Sequence, residues 1–140
     1  MPVLTATAST CTVVRSSAPD QSKQGLTCFE GISADRAGAE RLCMHLVMIP
    51  PGRRAKPHFH ADHETAIYVL SGEAEMWYGA ELGNYLTVRA GDFLFIPAGM
   101  PHLPSNPSPD VPVVAVVART DPNEQESVVL LPELARQFGA

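Results

Sequence analysis

Apolar residues fall in short runs along this chain, each cut off by glycine or proline. Residues 26–29 and 42–49 read as strands, separated by the Gly-punctuated stretch 31–38. The second run, LCMHLVMI, is nearly continuously apolar, the pattern of a strand covered on both faces, and Pro50-Pro51-Gly52 stops it. A short extended segment at 58–60 follows, then a β-rich run at 65–70 ended by Ser71-Gly72, and another at 74–78 ended by Gly79. Residues 85–89, a turn at Gly91-Asp92, and residues 93–96 stopped by Pro97 continue the series. Residues 97–112 hold six prolines in sixteen positions and predict a rigid, largely strandless loop. Residues 113–119 form a last β-branched run. In the amino-terminal Thr/Ser/Ala-rich stretch only residues 10–14 are β-prone. Residues 132–138 alone read as a helix, with Pro132 in the first turn, Glu133 behind it and Gly139 just past the end.

At least seven short strands with Gly/Pro turns between them predict an all-β sandwich or small barrel. A parallel sheet would need helical patterns between its strands, and none is present. No repeat at a solenoid or propeller period occurs. Residues 1–40 are expected to carry peripheral strands, 41–120 the barrel and 121–140 a C-terminal strand and helix tail, all within one domain.

Composition narrows the function classes. At 140 residues and 45% hydrophobic, the chain can bury a core without disulfides. A net charge of −5 argues against a nucleic-acid surface, which needs clustered cations. No apolar run approaches the ~18–20 residues of a membrane span. The start of the chain lacks the basic region of a secretory signal. Cys11, Cys28 and Cys43 have no paired zinc-site spacing and fit reduced, mostly buried thiols of a cytoplasmic protein.

Four of the five histidines lie in two short stretches: His58, His60 and His63 in one, His102 in the other. On a strand, positions i and i+2 share a face, so the imidazoles of His58 and His60 can meet one ion. Glu64 follows and can add an oxygen. His102 comes after the turn at 97–101, and if that turn folds back, three histidines and one carboxylate converge. Such a nitrogen and oxygen donor set suits one divalent transition metal, Fe, Mn, Ni, Co or Zn, with positions left open for water, dioxygen or substrate.

The spacing is more specific than the histidines alone. Gly52, five residues, His58, one residue, His60, three residues and Glu64 form one motif. Gly91, five residues, Pro97, one residue, Gly99, two residues, His102, three residues and Asn106 form a second, with 18 residues between Gly72 and Gly91. These resemble the two conserved motifs of the cupin superfamily, the second at every defined position. The resemblance implies a double-stranded β-helix, a jelly-roll barrel with a short C-terminal helix appended. It implies metal ligands at His58, His60, Glu64 and His102, and a structural role for Asn106. One position departs from the pattern: seven residues separate Glu64 from Gly72 where the family usually has six. Counted back from Gly72, the inward register falls on Thr65, and one residue of shift turns a side chain to the opposite face. A β-bulge around Ala66 would restore Glu64. His63 is the rival fourth ligand.

The resemblance further implies a metal-dependent enzyme acting on a small organic molecule, with an oxygenase as the leading reaction. Sugar isomerases or epimerases, lyases, and non-catalytic ligand-binding or sensor modules share the fold. It also implies a homodimer. Arg53, Arg54 and Lys56 form a small basic cluster that either meets an anion at the barrel mouth or is a solvated loop. Tyr68 is a candidate proton carrier near the metal. Met76-Trp77-Tyr78 and Phe93-Leu94-Phe95 are expected to fill the barrel, and His45 to sit in the core.

Overall fold

The computed structural model describes residues 10–15, 19–22, 25–123 and 128–138. Its strands run in chain order β1 (Asp20–Gln21), β2 (Thr27–Ile32), β3 (Cys43–Ile49), β4 (His58–His60), β5 (Thr65–Ser71), β6 (Glu73–Tyr78), β7 (Asn84–Arg89), β8 (Phe93–Ile96), β9 (His102–Ser105), β10 (Val113–Arg119) and β11 (Val128–Leu130). A one-turn helix, α1 (Ala34–Ala37), follows β2, and α2 (Pro132–Ala135) runs into a 3-10 turn at Arg136–Phe138. The strands form two sheets, ordered β1-β2-β3-β10-β5-β8 and β11-β4-β9-β6-β7, with antiparallel pairing throughout. This is the all-β, double-stranded β-helix architecture with a short C-terminal helix.

The inner faces of the sheets make the core. β10 alternates strictly, with Val113, Ala115, Val117 and Arg119 buried and the residues between them half-exposed. Leu26, Ile49, Ala55, Val69, Ala74 and Val88 pack with Val113 across the gap between the sheets. Asn106 ties this interior to the loops at one end. Its Nδ2 donates to the carbonyls of Ile49 (2.9 Å) and Val111 (2.8 Å), and its Oδ1 accepts the Ser108 N–H (3.0 Å). All its bonds are structural. Cys28 and Cys43 are buried as expected, whereas Cys11 is exposed.

Several local expectations are corrected. The proline-rich stretch contains strand β9, because Pro104 needs no donor there and its carbonyl accepts the Ala55 N–H (2.9 Å). β3 is covered on one face only, since Met44 and Leu46 on its outer side are exposed. Residues 10–14 carry no strand. Phe93 and Phe95 point outward, and only Leu94 of that trio lines the interior. α1 escaped the sequence reading despite its Ser33 cap, whose hydroxyl accepts the Arg36 N–H (3.2 Å), and its left-handed Gly38 stop.

The turn between β5 and β6 positions the site. Gly72 has φ +84°, and a Cβ there would run into the Pro112 carbonyl oxygen. Just before it the β5–β10 register slips: Val114 faces Ser71 while Ala115 faces Val69, leaving Leu70 as the extra residue of a bulge. The odd residue of the 64–72 interval is absorbed at Leu70, not at Ala66. Thr65, Ile67 and Val69 therefore face inward and Glu64 does not.

Candidate metal centre

β4 carries His58 and His60 at positions i and i+2, and both are buried. Strand β9 lies beside β4, and His102 stands directly opposite His58. The ring centroids of His58 and His102 are 4.2 Å apart, those of His58 and His60 5.2 Å, and those of His60 and His102 5.5 Å. One ring nitrogen from each histidine lies within 4.8 Å of the others. Three nitrogens bound to one ion at about 2.1 Å stand roughly 3.0–3.6 Å apart, so the rings would draw together by on the order of 1 Å to share an ion.

Hydrogen bonding prepares two of the rings as ligands. The Nδ1 of His58 lies 2.7 Å from the Lys56 carbonyl, and that of His102 lies 2.9 Å from the Met100 carbonyl. A carbonyl only accepts, so each Nδ1 carries the proton and each Nε2 keeps its lone pair. Among the described residues neither ring nitrogen of His60 has a hydrogen-bond partner, although both are buried. Burial is the main force holding all three neutral. It pushes His60 far below the usual 6.5 and His102 down to about 4, with the positive charge of Arg119 acting in the same direction. His58 is also held well below 6.5 by burial, His102 and Arg119, against an opposing bond to Lys56. Buried neutral imidazoles with available lone pairs fit a divalent transition ion.

The structure does not bring the expected carboxylate, Glu64, to the three histidines. Glu64 is exposed and lies outside the cluster, one residue beyond the last inward position of β5. Its backbone is pinned there: its N–H donates to Thr120 Oγ1 (3.1 Å) and its carbonyl accepts the Thr120 N–H (3.2 Å). The rival, His63, is buried, but its Nε2 meets the Asp121 carboxylate at 2.9 Å and it is no member of the cluster. The inward place belongs to Thr65, whose hydroxyl is buried and has no hydrogen-bond partner among the described residues. Tyr68 stands on the outer face of β5 against Phe93, away from the histidines. Arg53, Arg54 and Lys56 are exposed, and none lines the interior cavity.

That cavity runs from the histidines into the barrel. About 80 Å³ of it is open to a water-sized molecule, several times the ~10–15 Å³ that one water needs on the same measure. Its walls are mostly aliphatic, with His58, His102, Thr65 and Arg119 as a polar end. Arg119 was missed in the sequence, although its place as the last odd position of an alternating β-branched run marks it as inward-facing.

Comparison with known proteins places these features in context. A family model for the Cupin domain matches residues 45–119. An uncharacterized protein of Bacillus subtilis, YjlB, is 30% identical over 80 residues, 51% of this chain and 48% of that protein. The chain thus spans about half the length of that curated relative. An oxalate decarboxylase structure from Bacillus subtilis, solved in work on its Mn(II) centres, superposes with a TM-score of 0.67 at 26% identity, over 82% of this chain and 30% of that one. An uncharacterized conserved protein with a double-stranded β-helix domain from Klebsiella pneumoniae superposes with a TM-score of 0.58 at 22% identity, over 74% of this chain and 83% of its own.

Proposed function

Because the chain belongs to the Cupin domain family, we propose that it is a metal-dependent enzyme acting on a small organic molecule, with one divalent transition ion held by His58, His60 and His102. The observation that carries this reading is the convergence of three buried, neutral imidazoles, two of which, His58 and His102, line the polar end of an apolar cavity. A bound ion would supply Lewis acidity and, for Fe, Mn, Co or Ni, redox chemistry. The protein's own part is to fix geometry and exclude water. The carbonyls of Lys56 and Met100 hold two rings in the ligating tautomer. The aliphatic walls keep bulk solvent from the reacting group.

Oxygenase chemistry is the first reading, because three neutral donors leave coordination positions for both substrate and dioxygen. A lyase of the decarboxylase type is the second, supported by the 26% identity to oxalate decarboxylase. The aliphatic lining counts against a sugar isomerase or epimerase, since sugar hydroxyls there would lose hydrogen bonds to water without replacement. Dioxygen uptake and carbon dioxide release, measured on metal-loaded protein across a panel of small organic acids, separate the two reactions. Metal-loaded protein that binds panel members but turns none over would make the chain a ligand-binding module.

A second copy of the chain is the proposed partner. Leu46, Val116, Tyr68 and Phe93 form one cross-strand line on the outer face of the six-stranded sheet, and Phe93 is 82% exposed. Met44, Leu70 and Phe95 widen it into a contiguous apolar patch. An uncharged patch of this kind is complementary to itself, as a twofold interface requires. No helix among the described residues is long and apolar enough to cross a membrane.

A further inference from the structure

The cavity that runs inward from the histidines has two unlike ends. Among the described residues its polar side chains are His58, His102, Thr65 and Arg119 at the metal end, and Glu75, whose carboxylate accepts the Tyr85 hydroxyl (2.6 Å) among exposed groups. The rest of the wall is apolar, with Val69, Leu94, Val113 and Ala115 from one sheet facing Ala74 and Val88 from the other. Val69 is 1% exposed and Val113 3%, so the side chains here meet the cavity and not solvent. A buried water needs polar partners, and these side chains offer none. The backbone beneath them lies in paired strands. Such a void stays dry and leaves the atoms around it without the dispersion contacts of a packed core. A small neutral apolar molecule restores those contacts and gives up no hydrogen bond to water on entering.

We propose that the aliphatic end of this cavity is a dioxygen site that supplies the metal centre. This rests on the oxygenase reading above, which makes dioxygen the small apolar molecule that the centre consumes. The free volume of the whole cavity, about 80 Å³, leaves room for a two-atom molecule. Charged or hydrogen-bonding molecules are rejected by the same walls, since they would lose their water partners without replacement. His58 and His102 share the cavity wall with the aliphatic residues. A molecule leaving the dry end therefore arrives at two of the three imidazoles proposed to hold the ion. The barrel interior thus gathers one reactant beside the ion while keeping out the solvent that would compete for its open positions.

Dioxygen is paramagnetic and speeds the NMR relaxation of methyl groups that it touches, so the first test uses metal-free protein under dioxygen pressure. The methyls of Val69, Val88, Leu94 and Val113 should gain at least about threefold more relaxation than those of Leu82 and Leu103, which are buried but do not line the cavity. Xenon, a diamagnetic apolar guest, should shift the same four residues. Ala74→Leu and Ala115→Leu fill the cavity from opposite sheets, so the test does not depend on the folding of one variant. Each should abolish most of the dioxygen effect. In Fe(II)-loaded protein of equal metal content, each should also slow oxidation of the ion by dioxygen by about threefold or more, one electron passing from Fe(II) to give Fe(III) and superoxide. Oxidation by ferricyanide, an anion that the aliphatic end excludes, should keep its wild-type rate. Equal relaxation at the cavity methyls and at Leu82 and Leu103 would overturn the site. Filled variants oxidised by dioxygen at the wild-type rate, or slowed alike toward both oxidants, would overturn its supply of the centre. Wild-type protein that takes up no Fe(II) would instead remove the metal-dependent reading and the supply role with it, while the methyl result still decides whether the cavity holds dioxygen.

Discussion

His58 and His102, 44 positions apart in the chain, are direct cross-strand partners on β4 and β9, with ring centroids 4.2 Å apart. Each is tethered through Nδ1 to a carbonyl two residues before it. The same device on two strands turns both Nε2 lone pairs toward one point. His102→Ala should therefore lose the metal, with affinity reduced by more than the 10–100-fold typical of outer-shell changes. The barrel should remain folded by circular dichroism. Full metal occupancy in that variant would remove His102 from the site.

Glu64 and Thr65 make an opposed pair of predictions. Glu64→Gln should change metal affinity by no more than about twofold, as for an exposed side chain. Thr65→Glu puts a carboxylate at the inward position and should raise metal affinity by on the order of tenfold. Competition with a coloured chelator reads both. A large loss of affinity in Glu64→Gln would show that this carboxylate reaches the ion.

Asn106 bridges the end of β3, the β9–β10 loop and the backbone of Ser108. Asn106→Ala should cost roughly 2–4 kcal/mol, because it leaves buried carbonyls without donors. Urea denaturation measures it. A loss below about 0.5 kcal/mol, the range of an ordinary surface change, would contradict the structural role.

His45 gives the metal-free protein an acid-sensitive stability. Burial, with Arg119 as the second cause, lowers it from 6.5 to about 4. Its cross-strand neighbours are Glu30, whose carboxylate pairs with Arg36 (3.1 Å), and Val117. Between pH 6.5 and 4 the unfolded chain binds a proton at this residue and the folded chain does not. Stability is therefore full above pH 6.5, falls as the pH drops toward 4 and levels off below, for a total of roughly 3 kcal/mol. Denaturant midpoints of wild type and His45→Gln across that range should converge as the pH falls. Parallel curves would exclude His45 as the cause.

Phe93 tests the proposed twofold interface. Phe93→Lys should shift the protein to monomer in light scattering behind size-exclusion chromatography without lowering metal content. A wild type that is monomeric at micromolar concentration would contradict the interface.

Most of the barrel was legible because strands such as β3, β5, β6 and β8 end on a glycine or proline and the two histidine motifs fall at strand and turn positions. What escaped depended on contacts between distant residues. Strand β9 was hidden by Pro104 and the prolines around it, since only the neighbouring Ala55 N–H shows that Pro104 can sit in a ladder. The outward face of β3 was unreadable because apolar residues on an exposed patch look the same as residues in a core. Thr65 was legible as an anomaly of count between Glu64 and Gly72. Its resolution needed the position of the bulge, and a bulge at Leu70 or at Ala66 leaves the same sequence. Arg119 could have been found from alternation alone, but a charged residue ending a strand is ordinarily read as solvent-exposed.

X-ray absorption on protein stripped with a chelator and reloaded by dialysis against Co(II) tests the central claim most directly, because it counts the ion and its imidazole neighbours together. One ion per chain with three imidazole nitrogens is the predicted result. No retained ion, or an ion with fewer than three imidazoles, would contradict a centre built from His58, His60 and His102.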